Sequence, residues 1–393
     1  MREASTRLAD TLSARGVTRR DFLKYCGAVA GALGLAESAA PQIASALEKA
    51  AALKPVVWLE AGSCSGCTES VAQADSPDIA TIVLDILSVN YSETLMAGAG
   101  YSAEEAKAET VKAGGYILIY EGAVMTGWDG DALVIAGKKG TDDLKEVAEN
   151  AEAILAIGSC AVDGGFVSQY PNPAGATGVQ SFLNSVGVKK TVINLPTCPV
   201  NPEWVVAVVV EYLLLGRAPE MVQRTQSDGT VLNFPKAIFG QTVHDNCPRR
   251  GHFENGEFVS QFGSKEEAMS YCLYKMGCKG PQTYTNCPVV RWNRRASWCI
   301  ESGAPCIGCG GLDWVDNNAP FLKRMSDMQL KGALGLGNVQ PGSVAAAVGG
   351  VAAAALVAHG LGMKAAGRVG DGPPMEEMKA YDRKRGTKKG GDQ

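Results

Sequence analysis

The sequence predicts an α/β protein: a doubly wound, largely parallel sheet, then a loop-rich region, then one long apolar helix. Three observations predict it. Between residues 55 and 225, short apolar runs of strand character alternate with helix-compatible stretches. From Gln223 to about Phe321 the periodicity fades, glycine and proline punctuate, and cysteines crowd together. Val344 to Met363 is a stretch of mainly alanine, valine, glycine and leucine, interrupted by His359.

At the start, Thr18-Arg19-Arg20-Asp21-Phe22-Leu23-Lys24 precedes a small, apolar run from Tyr25 to Ala40. That order of residues is a twin-arginine signal peptide, assigned to residues 1–50, with Ala44-Ser45-Ala46 as one acceptable cleavage site. The competing reading is an amphipathic helix that happens to contain the arginine pair. Strands are expected at Val56–Glu60, Ile79–Leu84, Tyr116–Tyr120, Ala153–Ile157 and Thr191–Leu195. Helices are expected over Thr68–Ala74, Ala103–Lys112, Asp142–Asn150 and Pro202–Leu215, the last opened by proline and closed by Gly216. The strand runs are nearly continuous in apolar residues, as strands covered on both faces should be, so a doubly wound domain over 55–225 is the default. Residues 226–322 lack the apolar pattern to pack alone and call for rigidity from metals or disulfides. The apolar stretch 344–363 can span a bilayer core of about 30 Å. Lys364, Arg368, Lys379, Arg383, Lys384, Arg385, Lys388 and Lys389 then place the tail, 364–393, in the cytoplasm. A buried, alanine-rich helix or a weakly ordered tail is the alternative. The net charge of −4 with interspersed signs leaves no nucleic-acid footprint.

The chain has twelve cysteines, and removing Cys26 with the signal leaves eleven, an odd number that cannot all pair. Three predicted strands run into cysteines: Val56–Glu60 into Cys64 and Cys67, Ala153–Ile157 into Cys160, and Thr191–Leu195 into Cys198. If these strands are parallel neighbours, four thiols converge at their carboxyl ends, where ligands gather in open α/β sheets. Four thiolates there suit a cubane iron–sulfur cluster. His244, Cys247, Cys272 and Cys278 form a second group; Cys287, Cys306 and Cys309 form a third, with Cys299 inside its loop. Zinc competes, because four cysteines or three with a histidine are also tetrahedral zinc sets, and spacing does not decide between the metals. His252 and His359 have no such context and read as ordinary polar residues.

Leu59 to Cys67, Glu121-Gly122, Gly158-Ser159-Cys160, Pro196-Thr197-Cys198-Pro199, His244-Asp245-Asn246-Cys247-Pro248-Arg249-Arg250, Gly277 to Pro281 and Pro305-Cys306-Ile307-Gly308-Cys309 resemble, in that order, the small subunit of nickel–iron hydrogenases. Signal and tail fit the periplasmic, membrane-associated members. The resemblance implies a flavodoxin-like first domain with a proximal [4Fe-4S] cluster on Cys64, Cys67, Cys160 and Cys198. It implies a distal [4Fe-4S] cluster on His244, Cys247, Cys272 and Cys278, and a medial cluster on Cys287, Cys306 and Cys309. Most relatives hold a medial [3Fe-4S] cluster and have proline where this chain has Cys299; a fourth thiol would permit [4Fe-4S], as in nickel–iron–selenium relatives. Oxygen-tolerant relatives add two cysteines beside the proximal cluster, where this chain has Gly66 and Gly165, so an oxygen-sensitive enzyme is expected. The nickel–iron centre would belong to a large-subunit partner, and no catalytic residue is expected here. Electrons would leave to a membrane cytochrome b, another quinone-linked subunit or a cytochrome c. The implied location is the periplasmic side of the membrane, held by the C-terminal anchor. Competing readings are a complex I-type quinone-reductase subunit, a free-standing multi-cluster carrier and a zinc-stabilised scaffold.

Overall fold

The computed structural model describes residues 54–319 except 76–78, 80, 81 and 83–86, together with 24, 27, 321, 330, 331, 338, 339 and 341–366. The expected signal peptide and the tail beyond 366 lie outside the described residues. By its contacts the chain divides into two units, Met1–Arg324 and Met325–Gln393.

The first unit is built on a seven-stranded sheet. Its strands are β1 (Lys54–Glu60), β2 (Leu87–Ser92), β3 (Ile117–Glu121), β4 (Ala153–Ile157), β5 (Val192–Leu195), β6 (Met221–Thr225) and β7 (Val231–Pro235). They lie in the order β6-β7-β5-β4-β3-β1-β2, and every pairing is parallel except the β6–β7 hairpin. The run β2-β1-β3-β4-β5 is the flavodoxin-like order, which reverses direction between β1 and β3. β3 and β4 are buried at every residue, as their unbroken apolar sequences require. The helices are α1 (Gly66–Val71), α2 (Tyr101–Ala113), α3 (Gly140–Asn150), α4 (Gly158–Asp163), α5 (Val179–Ser185) and α6 (Pro202–Leu215). α6 begins at an Asn201 cap whose side chain accepts from Glu203 N–H, and ends at Gly216 in the left-handed conformation.

One expected strand is displaced. Of the expected strand Ile79–Leu84 only Ile79 and Ile82 are described, and both are helical; the second strand of the sheet is Leu87–Ser92. β2 is the sheet edge and pairs only with β1, so it tolerates Ser88 and Asn90, half-buried, where a central strand would need apolar residues. A short, mainly apolar run such as 79–84 suits a helix as well as a strand. The hairpin β6–β7 also carries the sheet past residue 225.

Between β7 and Ala319 the chain forms short helices and turns around a small apolar cluster of Val243, Val259, Leu273, Met276, Trp298 and Ile300, with Cys278 and Cys306 among them. Among the described residues of the second unit is the helix Pro341–Ala365, whose segment Ala347–Ala365 is long and apolar enough to cross a membrane.

Candidate metal centres

The first site lies at the carboxyl ends of β1, β3, β4 and β5. Cys64, Cys67, Cys160 and Cys198 all line one cavity of about 80 Å³, together with Glu121, Gly122, Gly158 and Thr197. The loop after β1 is tied to the loop after β3 by a reciprocal backbone pair, Gly62 with Ala123, at 3.1 Å each way. Glu121, at the end of β3, is buried and accepts from Cys67 N–H (3.0 Å), Thr68 N–H (2.8 Å) and the Thr68 hydroxyl (2.6 Å). A carboxylate from one strand thereby satisfies two of the free backbone donors in the first turn of α1, those of Cys67 and Thr68. Gly158 has φ +84°, and a Cβ there would fall 2.5 Å from Cys67 Sγ, so glycine is required for this approach. Burial pushes the Cys67, Cys160 and Cys198 thiols up, Cys160 to about 11. Thiolates at these positions need a positive partner, which iron supplies.

The second site gathers His244, Cys247, Cys272 and Cys278 around one small cavity with Tyr274 and Ile300. The His244-x-x-Cys247 turn is closed by Cys247 N–H to His244 C=O (3.2 Å), and Gly280 N–H donates to Cys278 Sγ (3.4 Å). Burial and then the Arg250 charge hold the His244 imidazole below its ordinary pKa, the neutral state a ligand needs. Burial raises Cys272 to about 11.

The third site brings Cys287, Cys299, Cys306 and Cys309 to one cavity of about 600 Å³, with Trp292, Trp298 and Ile307. Cys299 thus lines the same cavity as the other three, as does Cys198. Burial raises Cys287 to about 11 and Cys309 to about 12; a Cys198 backbone N–H aimed at Cys309 works the other way. The sites are contiguous. Cys198 lines both the first and the third cavity, the Ser159 hydroxyl donates to Cys309 C=O (3.1 Å), and Lys279 N–H donates to Cys306 C=O (2.7 Å). The third site thus stands between the other two.

The donor sets fit iron–sulfur clusters better than zinc. All eleven described cysteines are free. Zinc needs its donors about 2.0–2.3 Å from one point, and among the described residues no three His, Cys, Asp or Glu could hold a single metal ion. Four thiols around a cavity without such a point leave room for a larger group.

Two family models match the chain: NADH ubiquinone oxidoreductase, 20 Kd subunit, over residues 64–212, and the C-terminal part of the NiFe/NiFeSe hydrogenase small subunit, over 239–322. The periplasmic [NiFe] hydrogenase small subunit 1 of Nitratidesulfovibrio vulgaris is 42% identical over 316 residues, 80% of this chain and 96% of that one. The chain belongs to the nickel–iron hydrogenase small subunits. It is therefore the electron-transfer subunit of a heterodimeric oxidoreductase acting on hydrogen. The quinone-reactive Ni/Fe-hydrogenase small chain of Wolinella succinogenes is 38% identical, covering 79% of this chain and 85% of that one. Among solved structures, a [NiFeSe] hydrogenase chain from Desulfomicrobium baculatum matches with a TM-score of 0.62 at 30% identity, over 70% of this chain and 99% of that one. A [NiFeSe] hydrogenase chain from Desulfovibrio vulgaris Hildenborough matches at 0.61 and 33%, over 69% and 98%.

In this hydrogenase small subunit, His252 pairs with Glu257 (2.6 Å) and lines none of the three cysteine cavities. Sequence reasoning assigns no role to Glu121, Ser159, Asp163 or Thr285, which hold the sites from outside. Glu121, an acid at a strand end directly before glycine, and Ser159, directly before Cys160, carry a local signal; Asp163 and Thr285 carry none.

Proposed function

We propose that this hydrogenase small subunit holds a proximal [4Fe-4S] cluster on Cys64, Cys67, Cys160 and Cys198. The distal [4Fe-4S] cluster is on His244, Cys247, Cys272 and Cys278, and the medial cluster on Cys287, Cys299, Cys306 and Cys309. The observation that carries this is the contiguous row of three cysteine-lined cavities, Cys198 lying on two of them. When bound, the clusters supply one-electron carriers between the large subunit's nickel–iron centre and an external acceptor. The chain's own residues hold the sulfurs, exclude water and bias the charge each site prefers. With Cys299 on the same cavity as Cys287, Cys306 and Cys309, the medial cluster is assigned as [4Fe-4S].

The chain is exported folded by the twin-arginine route and anchored by the helix Pro341–Ala365 on the periplasmic side, passing electrons to a membrane cytochrome b, another quinone-linked subunit or a cytochrome c. The apolar character of Ala347–Ala365 supports the anchor. Glycine at 66 and 165, where a Cβ would meet Cys64 Sγ (3.1 Å) and Cys160 (2.8 Å from its nitrogen), supports an oxygen-sensitive proximal site.

The test is iron and sulfide content of the anaerobically purified heterodimer, with electron paramagnetic resonance of the oxidised enzyme. About twelve irons per small subunit and no strong [3Fe-4S] signal are expected. A strong [3Fe-4S] signal removes Cys299 from the ligand set; absence of iron and labile sulfide ends the reading.

A further inference from the structure

Thr285 stands two residues before Cys287, on the wall of the middle cavity. Its hydroxyl lies 3.0 Å from Cys287 Sγ, and only 1% of the residue is exposed, so water does not compete for that hydroxyl. Among the described residues this sulfur is the hydroxyl's one hydrogen-bond partner. The rotamer is held from the other side. Gly310 follows Cys309, and a Cβ built on it would come 2.3 Å from Thr285 Cγ2, so the threonine methyl occupies the place a side chain would take. A β-branched residue with its methyl seated has little χ1 freedom left, and the hydroxyl is aimed at the sulfur. A sulfur bound to iron carries no proton, so in that state the hydroxyl is the donor.

We propose that Thr285 sets the potential of the middle relay, its hydroxyl donating to Cys287 Sγ and favouring the more negative, reduced state of the site. This rests on Cys287 being a cluster ligand. Hydrogen bonds to ligating sulfur stabilise added negative charge and raise the reduction potential, as second-shell partners do at metal sites generally. A fourth thiolate, Cys299, adds negative charge and lowers it; Thr285 opposes that. Thr285 is thus a positioning and tuning residue, with no part in hydrogen cleavage.

The experiment compares the anaerobically purified heterodimer with its Thr285→Val and Thr285→Ser variants. Iron is counted per heterodimer, and the medial site is titrated potentiometrically by electron paramagnetic resonance. Valine keeps the methyl against Gly310 and removes the donor; serine keeps the donor. The expected result is full iron in all three and a lower medial midpoint in Thr285→Val. At the wild-type midpoint its reduced-to-oxidised ratio falls by up to about tenfold, equivalent to about 59 mV for one electron. Thr285→Ser returns close to wild type. An unchanged midpoint in Thr285→Val, an equal shift in both variants, or loss of iron from Thr285→Val alone overturns the role of Thr285 while leaving the ligand assignment standing. Wild-type iron too low for a third cluster overturns the assignment and this role with it.

Discussion

At the scale of single residues, the buried polar groups around the cysteines decide how well the sites are held. Glu121 is the clearest, since three donors of the Cys67–Thr68 turn converge on one carboxylate that water does not reach. Glu121→Ala should cost about 2–4 kcal/mol, because it strands two buried N–H groups. It should also lower iron at the proximal site; thermal unfolding and metal analysis check both. Asp163, at the end of α4, accepts from Gly165 N–H (3.0 Å) and Asp313 N–H (2.7 Å), yet burial outweighs these bonds and lifts its carboxyl to about 7. The folded state then holds a proton that the unfolded chain releases from about pH 4, so Asp163 subtracts stability progressively as pH rises from about 4 to 7. Relative to wild type, the thermal midpoint of Asp163→Asn should improve across that window and level off above it. A difference independent of pH would refute the assignment.

At the scale of elements, the start of α6 locks the sheet to the loops that carry the medial cysteines. The Asn201 side chain accepts from Glu203 N–H (3.0 Å) and donates to Arg291 C=O (2.6 Å), while Trp204 Nε1–H donates to Asn286 Oδ1 (2.7 Å) beside Cys287. Trp204 also meets Trp292 edge-on, with ring centroids 6.0 Å apart. Asn201→Ala therefore removes a cap and an inter-element tie together. A loss of about 1–3 kcal/mol is expected from the two, with medial iron released before proximal iron on heating. Simultaneous release would show that the tie is not local. Of these contacts only the cap is legible in the sequence: Asn201-Pro202 followed by an apolar helix is a local signal, whereas the reach to Arg291 spans ninety positions. The second strand shows the same divide. An apolar run at 79–84 has no preferred period, and edge position made the more polar Leu87–Ser92 the strand.

At the scale of the whole molecule, the row of sites runs from the sheet's carboxyl edge into the loop-rich region, and the long apolar helix belongs to a separate unit. Deleting residues 332–393 should leave the catalytic heterodimer intact and move it from the membrane to the soluble fraction. Full-length protein found soluble with its membrane partner present would refute the anchor. Replacing Arg19 and Arg20 together by lysine should retain the heterodimer in the cytoplasm, measured by fractionation; undiminished export would refute the twin-arginine assignment.

Local chemistry alone determined much of this. Apolar runs ending in glycine and cysteine set β1 and β4, one ending in Pro196-Thr197-Cys198 set β5, and an odd number of mature cysteines argued for metal over disulfides. Those features depend on neighbours a few positions apart, where period and turn chemistry act. Tertiary structure decided which cysteines share a cavity, Cys299 lining the one that Cys287, Cys306 and Cys309 line, that Glu121 serves Cys67 on another segment, and that Gly310 seats the methyl of Thr285 beside Cys287. Such pairings are set by strand order and by contacts such as Gly310 against Thr285. They arise only when distant segments are buried together, and no sequence period records them.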